Sequence, residues 1–241
     1  MRDRDVALRA VGLMDLTSLG DNDSAPMIDA LCNRARAYQV AAVCVWPQFV
    51  TQCAECLAGT SINLATVVNF PGGGTDVDVV VGQTRISVEQ GANEIDLVMP
   101  YNAWLNGEEG VAANMVYSVK QACDNAKLKV ILETGRLRTR QNIIAASRLA
   151  IQAGADFIKT STGKIPVSAT PSAASAMLEV ISDGHRSVGF KAAGGIRTLR
   201  QAGNYLRIAD TLLGPGWVTP DHFRFGASSL LDACIPFVQT S

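Results

Sequence analysis

Short apolar runs rich in β-branched residues recur along this chain every 25–35 residues or so, and the segments between them space their apolar positions as helices do. The runs contain Gly12 to Asp15, Ala41 to Val45, Leu64 to Val68, Glu94 to Val98, Lys129 to Glu133, Asp156 to Lys159, Ser187 to Lys191 and Phe223 to Gly226. Strands that alternate with helices in this way pair in parallel, because a parallel neighbour is reached only through a crossover. About eight strands is the number that closes a barrel, so the pattern predicts a single-domain (β/α)8 TIM barrel over residues 1–241. A doubly wound open sheet is the alternative, since the rhythm of strands alone does not require closure.

Local signals support the helices between the runs. Met27 to Tyr38 follows Asp21, Asp23 and Ser24, which suit an N-cap, and Pro26, which suits a first helical turn. Val77 to Gln90 and Gln141 to Ala153 each run into a glycine, Gly91 and Gly154, where a helix C-terminus favours one. No Ser/Gly-rich linker divides the chain. A weak internal echo relates Gly91-Ala92-Asn93-Glu94-Ile95-Asp96 to Gly154-Ala155-Asp156-Phe157-Ile158-Lys159, and it aligns Asp96 with Lys159.

Charges inside apolar strands are costly unless paired or functional. Asp96, Glu133, Lys159 and Lys191 all fall near the C-terminal ends of their predicted strands, the catalytic side of such a barrel. A structural salt bridge is the plain alternative for any one of them. Two lysines on consecutive strands resist that explanation, because structural pairing favours opposite charges. Alternation puts Phe157 on the same face as Lys159, and Gly189 on the same face as Lys191, where the missing side chain leaves room. Strands ~4.8 Å apart would bring the two ammonium groups within about 5–6 Å.

That proximity has a chemical use. A lysine with its ordinary pKa near 10.4 needs about 4.6 kcal/mol to titrate near 7. A second cation at ~5 Å supplies on the order of 3 kcal/mol at an effective dielectric of 20, so partial burial must supply the rest. A desolvated lysine beside another cation is an amine nucleophile toward carbonyls, and the residues themselves leave open which of the two attacks. Asp96 offers a carboxylate to move protons, or simply a counter-ion. Gly194-Gly195 and Gly226-Ala227-Ser228-Ser229 occupy the last two βα loops, where barrels of this kind hold phosphate with backbone N–H groups. Thr160-Ser161-Thr162-Gly163-Lys164 adds hydroxyls and a cation but lacks the layout of an ATP-binding P-loop.

Composition narrows the field further. Hydrophobic residues make up 48% and charged ones 18%, with a formal net charge of −1. No general basic field exists to hold nucleic acid or an anionic membrane, so any anion site is local. The stretch Met1 to Leu16 carries charge throughout, and no apolar run reaches the length of a membrane span, which points to the cytoplasm. The six cysteines read as reduced thiols. Cys53 and Cys56 form a CxxC, but no second pair or nearby histidines complete a zinc site, and helical spacing accounts for them equally well. Two histidines, His185 and His222, leave little material for a His-based metal site or triad.

At these residues the chain resembles the deoxyribose-phosphate aldolases of the Schiff-base type. The matching segments include Leu13-Met14-Asp15-Leu16-Thr17, Val67-Val68-Asn69-Phe70-Pro71, Glu94-Ile95-Asp96-Leu97-Val98 and Leu132-Glu133-Thr134-Gly135. They continue with Asp156 through Lys164, Val188 through Lys191, Ala193 through Arg197, and Arg224 through Leu230. The resemblance implies reversible cleavage of 2-deoxy-D-ribose 5-phosphate to D-glyceraldehyde 3-phosphate and acetaldehyde, with no cofactor and no metal. It assigns the Schiff base to Lys159, the second cation to Lys191 and proton transfer to Asp96. It places phosphate recognition on Gly163, Lys164, Gly194, Gly195, Ser228 and Ser229, with Asp15 in a supporting polar network and Cys44 near the reacting carbon. For Cys44 a small buried side chain is the preferred reading over a catalytic thiol. The implied partners are a phosphorylated sugar and small aldehydes, with a homodimer as the assembly. Two departures stand out: Trp46 occupies a position where relatives carry tyrosine, and the chain runs to Ser241 with no tyrosine after Tyr205, whereas some relatives end in one.

Overall fold

The computed structural model describes residues 1–238. Among them eight parallel strands close into one barrel in chain order, β1 pairing with both β2 and β8. The strands are β1 Met14–Thr17, β2 Ala42–Val45, β3 Asn63–Val68, β4 Glu94–Val98, β5 Lys127–Ile131, β6 Phe157–Lys159, β7 Gly189–Ala193 and β8 Phe223–Ala227. The open-sheet alternative is thereby excluded.

The helices that cover the outside are α1 Asp3–Gly12, α2 Ala25–Tyr38, α3 Val50–Cys56, α4 Val77–Glu89 and α5 Tyr101–Leu105. They continue with α6 Glu109–Ala122, α7 Thr134–Leu137, α8 Arg140–Gln152, α9 Pro171–Ser182, α10 Leu199–Leu213 and α11 Leu230–Val238. Gly91 and Gly154 adopt φ of 109° and 104°, the left-handed turn that lets α4 and α8 stop and the chain double back into a strand. α2 ends instead on Gln39 in the left-handed region, and Ser24 caps its start by backbone shape without a side-chain hydrogen bond. At α10 a full capping box is present, Thr198 and Gln201 each satisfying the other's free N–H.

Three strands lie two residues from the sequence reading, and the others agree with it to within one residue. Gly12 closes α1 rather than opening β1, and α1 packs on α10 and α11 with Arg9 bonded to Asp210 at 2.7 Å. β5 begins two residues earlier, so Glu133 lies beyond it with φ 55°, as the first turn toward α7. β7 runs two residues further, to Ala193. Each of these two shifts is by an even number, so the face assigned to every strand residue survives.

The apolar core lies between the outer faces of the strands and the helices, with Ile95, Leu97, Ile158 and Phe190 wholly buried there. The inner face is different in kind. It carries Asp15, Glu94, Asp96, Lys129, Lys159, Lys191 and Arg224, all buried. No helix of the described residues is long and apolar enough to cross a membrane.

Candidate active site

Register fixes the central pair. Lys159 of β6 stands opposite Lys191 of β7, and Phe157 opposite Gly189. A Cβ on Gly189 would sit 2.3 Å from the Phe157 ring. The missing side chain therefore admits an aromatic ring inside the barrel; it does not enlarge a substrate pocket. A Cβ at Gly226 on β8 would meet Lys191 Cε at 3.0 Å, so this glycine makes room for the lysine stem.

Both lysines donate to one oxygen, Asp96 Oδ2, at 2.7 Å each, which holds their nitrogens no farther apart than twice that distance. Asp96 Oδ1 accepts from Lys129 at 3.0 Å. Burial alone would raise the Asp96 carboxyl, but Lys129, Lys159 and Lys191 together hold it well below the ordinary carboxylate range. Lys191 is also 2.5 Å from Asp15 Oδ2; burial works against its charge, and Asp15 and Asp96 outweigh burial and raise it. Lys159 goes the other way. Burial and the adjacent Lys191 lower it against the pull of Asp96.

Access separates the two amines. Lys159 lines a cavity of about 270 Å³, together with Thr17, Gly163, Lys164, Gly194, Gly195 and Arg197 from successive loops. Lys191 is fully buried and does not line it. Ser228 and Ser229 line it as well, so the six residues anticipated for phosphate and the anticipated nucleophile meet in one cavity. Asp96 and Asp15 lie beneath it rather than in its wall.

The loops around the mouth are tied to one another. Glu133 accepts from the Thr162 hydroxyl at 2.5 Å and from its backbone N–H at 3.3 Å, fixing the turn after Lys159. Burial raises the Glu133 carboxyl, and the Thr162 bonds oppose that rise. Thr160 Oγ1 bridges to Ala193 with 3.0 Å bonds in both directions, locking the ends of β6 and β7. Lys164 reaches across the mouth to the Leu19 carbonyl at 2.7 Å and lies 5.8 Å from the Trp46 ring centroid. Trp46 in turn donates to Gly20 O at 3.1 Å and meets Phe70 edge-on at 5.5 Å. This tryptophan thus joins three loops at the rim.

Cys44 faces inward beside Ala65 and Val67, buried, and burial raises its thiol, so it is a small packed side chain. Both cysteines of the CxxC approach Cys32, Cys53 at 3.7 Å, and Cys56 also bonds Asp29 at 3.5 Å. No group of three or more metal-ligating side chains suited to an ion occurs among the described residues. Ser241 and the chain end lie outside the described residues.

Four participants escaped the sequence reading. Glu94, Lys129 and Arg224 lie on the inner face below the lysine pair, and Arg197 lines the cavity. Parity along the strand reaches Glu94, and register in the closed barrel brings in the other two inner-face residues. Glu94 is two residues before Asp96, Lys129 pairs with Asp96 in register, and Arg224 pairs with Lys191.

Residues 9–235 match the family described as DeoC/LacD family aldolase. Over 235 residues, covering 96% of this chain and 91% of the relative, the chain is 47% identical to a deoxyribose-phosphate aldolase of Agrobacterium fabrum. A crystal structure from Coccidioides immitis superposes with a TM-score of 0.87 at 31% identity, covering 95% of this chain and 86% of that one. A tetrameric deoxyribose phosphate aldolase from Aeropyrum pernix shares the fold, with a TM-score of 0.79 at 24% identity over 100% of this chain and 94% of that one.

Proposed function

The chain belongs to the DeoC/LacD aldolase family, and from that footing we propose that it reversibly cleaves 2-deoxy-D-ribose 5-phosphate to D-glyceraldehyde 3-phosphate and acetaldehyde through a Schiff base on Lys159. One observation carries the assignment of the nucleophile. Of the two paired lysines, Lys159 reaches the cavity and is the one whose charge burial and a neighbouring cation disfavour.

In this reading the neutral Lys159 amine adds to the aldehyde carbon of the open-chain sugar, and loss of water leaves an iminium. The C3 hydroxyl gives up its proton, the C2–C3 bond breaks, and its electron pair moves into the iminium to form an enamine. D-glyceraldehyde 3-phosphate departs; the enamine takes a proton at carbon, and water hydrolyses the resulting iminium to acetaldehyde and free lysine. The iminium itself withdraws the electron pair, the part an electrophilic metal plays elsewhere. Asp96, held ionised beneath the cavity, passes protons between the lysines rather than storing one. Asp15 anchors Lys191, and Cys44 leaves the inner wall narrow and apolar.

Gly163, Lys164, Gly194, Gly195, Ser228 and Ser229 hold the phosphate in the cavity that Lys159 also lines, with Arg197 as a further cation. Phosphorylated sugars do not cross membranes unaided, which assigns the reaction to the cytoplasm. The assembly we propose is a homodimer, and sedimentation distinguishes it from a tetramer.

The test is reductive trapping. Borohydride added with acetaldehyde leaves a two-carbon adduct on Lys159, located by peptide mass mapping; its absence from Lys159 would overturn the reading in favour of a non-covalent isomerase or a sugar-phosphate sensor. The phosphate site is checked separately. Gly194 adopts φ 94°, and a Cβ there would lie 2.5 Å from Ser168 Cβ. Gly194→Ala therefore weakens inorganic phosphate binding by about tenfold or more, roughly the loss of one good charge-assisted hydrogen bond. Trapping of acetaldehyde, which carries no phosphate, continues in this variant.

A further inference from the structure

The buried charges inside the barrel form a closed circuit with one cation left over. Arg224 bonds Asp15 at 2.6 Å and Glu94 at 2.8 Å. Lys129 lies 2.5 Å from Glu94 and 3.0 Å from Asp96. Lys191 joins Asp96 at 2.7 Å to Asp15 at 2.5 Å. Three carboxylates and three cations thus alternate around a ring that is neutral as a whole, and a further contact of 3.5 Å between Lys129 and Asp15 crosses it. Lys159 hangs from this ring by a single ion pair, to Asp96. If protonated, it adds a buried positive charge to a ring that is already balanced; as a free amine, it leaves that balance undisturbed.

Resting on the Schiff-base reading, we propose that Lys129 is a positioning residue for the protonation state of Lys159. By completing the ring, it leaves Asp96 supplied with cations other than Lys159, while Glu133, the further carboxylate that acts on Lys159, is bonded to Thr162. Glu94 sets the opposite bias. Neither residue lines the cavity, so both act through Asp96. The other groups that face Lys159 are Cys44 from β2, Asp96 from β4, Glu133 beyond β5, Lys191 from β7, and Asp15 and Arg224 one step further down, with Lys164 and Arg197 at the cavity rim. All of these stay in place when Lys129 or Glu94 is changed.

The charge count predicts shifts of opposite sign. In Lys129→Met, three carboxylates face two ring cations, Lys159 becomes the third, and it keeps its proton to higher pH. In Glu94→Gln, two carboxylates face three cations, and Lys159 loses its proton more readily. A unit charge roughly 7 Å away at an effective dielectric of 20 moves the midpoint by about one to two pH units. Lys129→Arg keeps the charge and the midpoint. The double variant Lys129→Met with Glu94→Gln removes one charge of each sign and brings the midpoint back to that of the unaltered protein.

The measurement is the rate at which cyanate carbamylates Lys159, followed by peptide mass spectrometry across pH 5 to 10, with each variant compared to the unaltered protein. Cyanate reads the free amine whether or not the protein forms a Schiff base. Singles that shift in opposite directions, with the double restored, support the ring. Singles that do not move, or that move together, overturn it, and so does a charge-balanced double that stays displaced. Should one single variant fail to fold, the other and the double still decide. Failure of acetaldehyde trapping in the unaltered protein defeats the Schiff-base reading alone; unmoved cyanate midpoints defeat the ring alone.

Discussion

Lys159→Leu abolishes turnover of 2-deoxy-D-ribose 5-phosphate, a loss of at least ~10⁴-fold, while the folded protein still binds inorganic phosphate. Leucine keeps much of the apolar stem of the lysine and removes only the amine that would become the iminium nitrogen. The variant should fold without difficulty, for a reason in the ring. Asp96 retains Lys129 and Lys191 after Lys159 is gone, so no buried carboxylate is stranded. Removing one partner of a buried pair is strongly destabilising when it leaves an uncompensated charge, and here it removes the uncompensated one. Thermal melting is therefore expected to match or exceed that of the unaltered protein. Phosphate binding survives because its residues belong to the loops after β6, β7 and β8, and their backbone does not depend on the lysine head group. Measurable aldol cleavage by this variant would remove Lys159 from the role of nucleophile.

The same logic explains what could be read in advance. Lys159, Lys191 and Asp96 stood out because each is a charge set within an apolar run; Lys159 ends its strand, whereas Asp96 and Lys191 lie two residues inside theirs. Exact strand limits were not needed, since a displacement of two residues leaves every side chain on its own face. Glu94, Lys129 and Arg224 were hidden for a complementary reason. They lie lower in the barrel, away from the strand ends, and a charge at the start of a strand reads as an exposed edge until closure puts water on neither side. Lys129 stands beside Asp96 only because β4 and β5 are neighbours in a particular register, and register is a property of the closed sheet. Gly189 was legible as a gap but not as to what fills it; the Phe157 ring does, from the adjacent strand. α1 escaped because alternating charge in Met1 to Leu16 masks the small apolar face formed by Val6, Ala7, Ala10 and Val11. Lys164 was expected at the phosphate, and it does line the cavity, yet its head group is bonded to Leu19 O across the mouth. A phosphate entering there competes with a neutral carbonyl and with Asp21, 3.5 Å away at the exposed rim.

Asp96→Asn should damage stability and catalysis together, and pH separates the two. The substitution breaks the ring between Lys129 and Lys191 and takes the only ionic partner from Lys159 among the described contacts. Stranding buried cations in this way costs about 3–5 kcal/mol, or roughly 10 °C or more in melting temperature for a chain of this size. The sign of the pH dependence follows from the carboxyl, which is held well below its ordinary value in the folded protein. A depressed carboxyl contributes stability that is fully present above its unfolded pKa, near ~3.9, and is lost as pH falls through the folded pKa. The gap in melting temperature between variant and unaltered protein therefore stays constant from about pH 5 to 8 and narrows in stronger acid. Catalysis responds at a different step. Lys159 has lost an anion and remains a free amine, so borohydride still traps acetaldehyde on it. The protons that must reach and leave carbon have lost their path between Lys159 and Lys191, and kcat falls by ~10²- to 10⁴-fold, the range of general acid–base assistance. A variant that melts like the unaltered protein at pH 7 would mean that the three lysines do not share this carboxylate in solution, and full activity would take Asp96 out of the proton path.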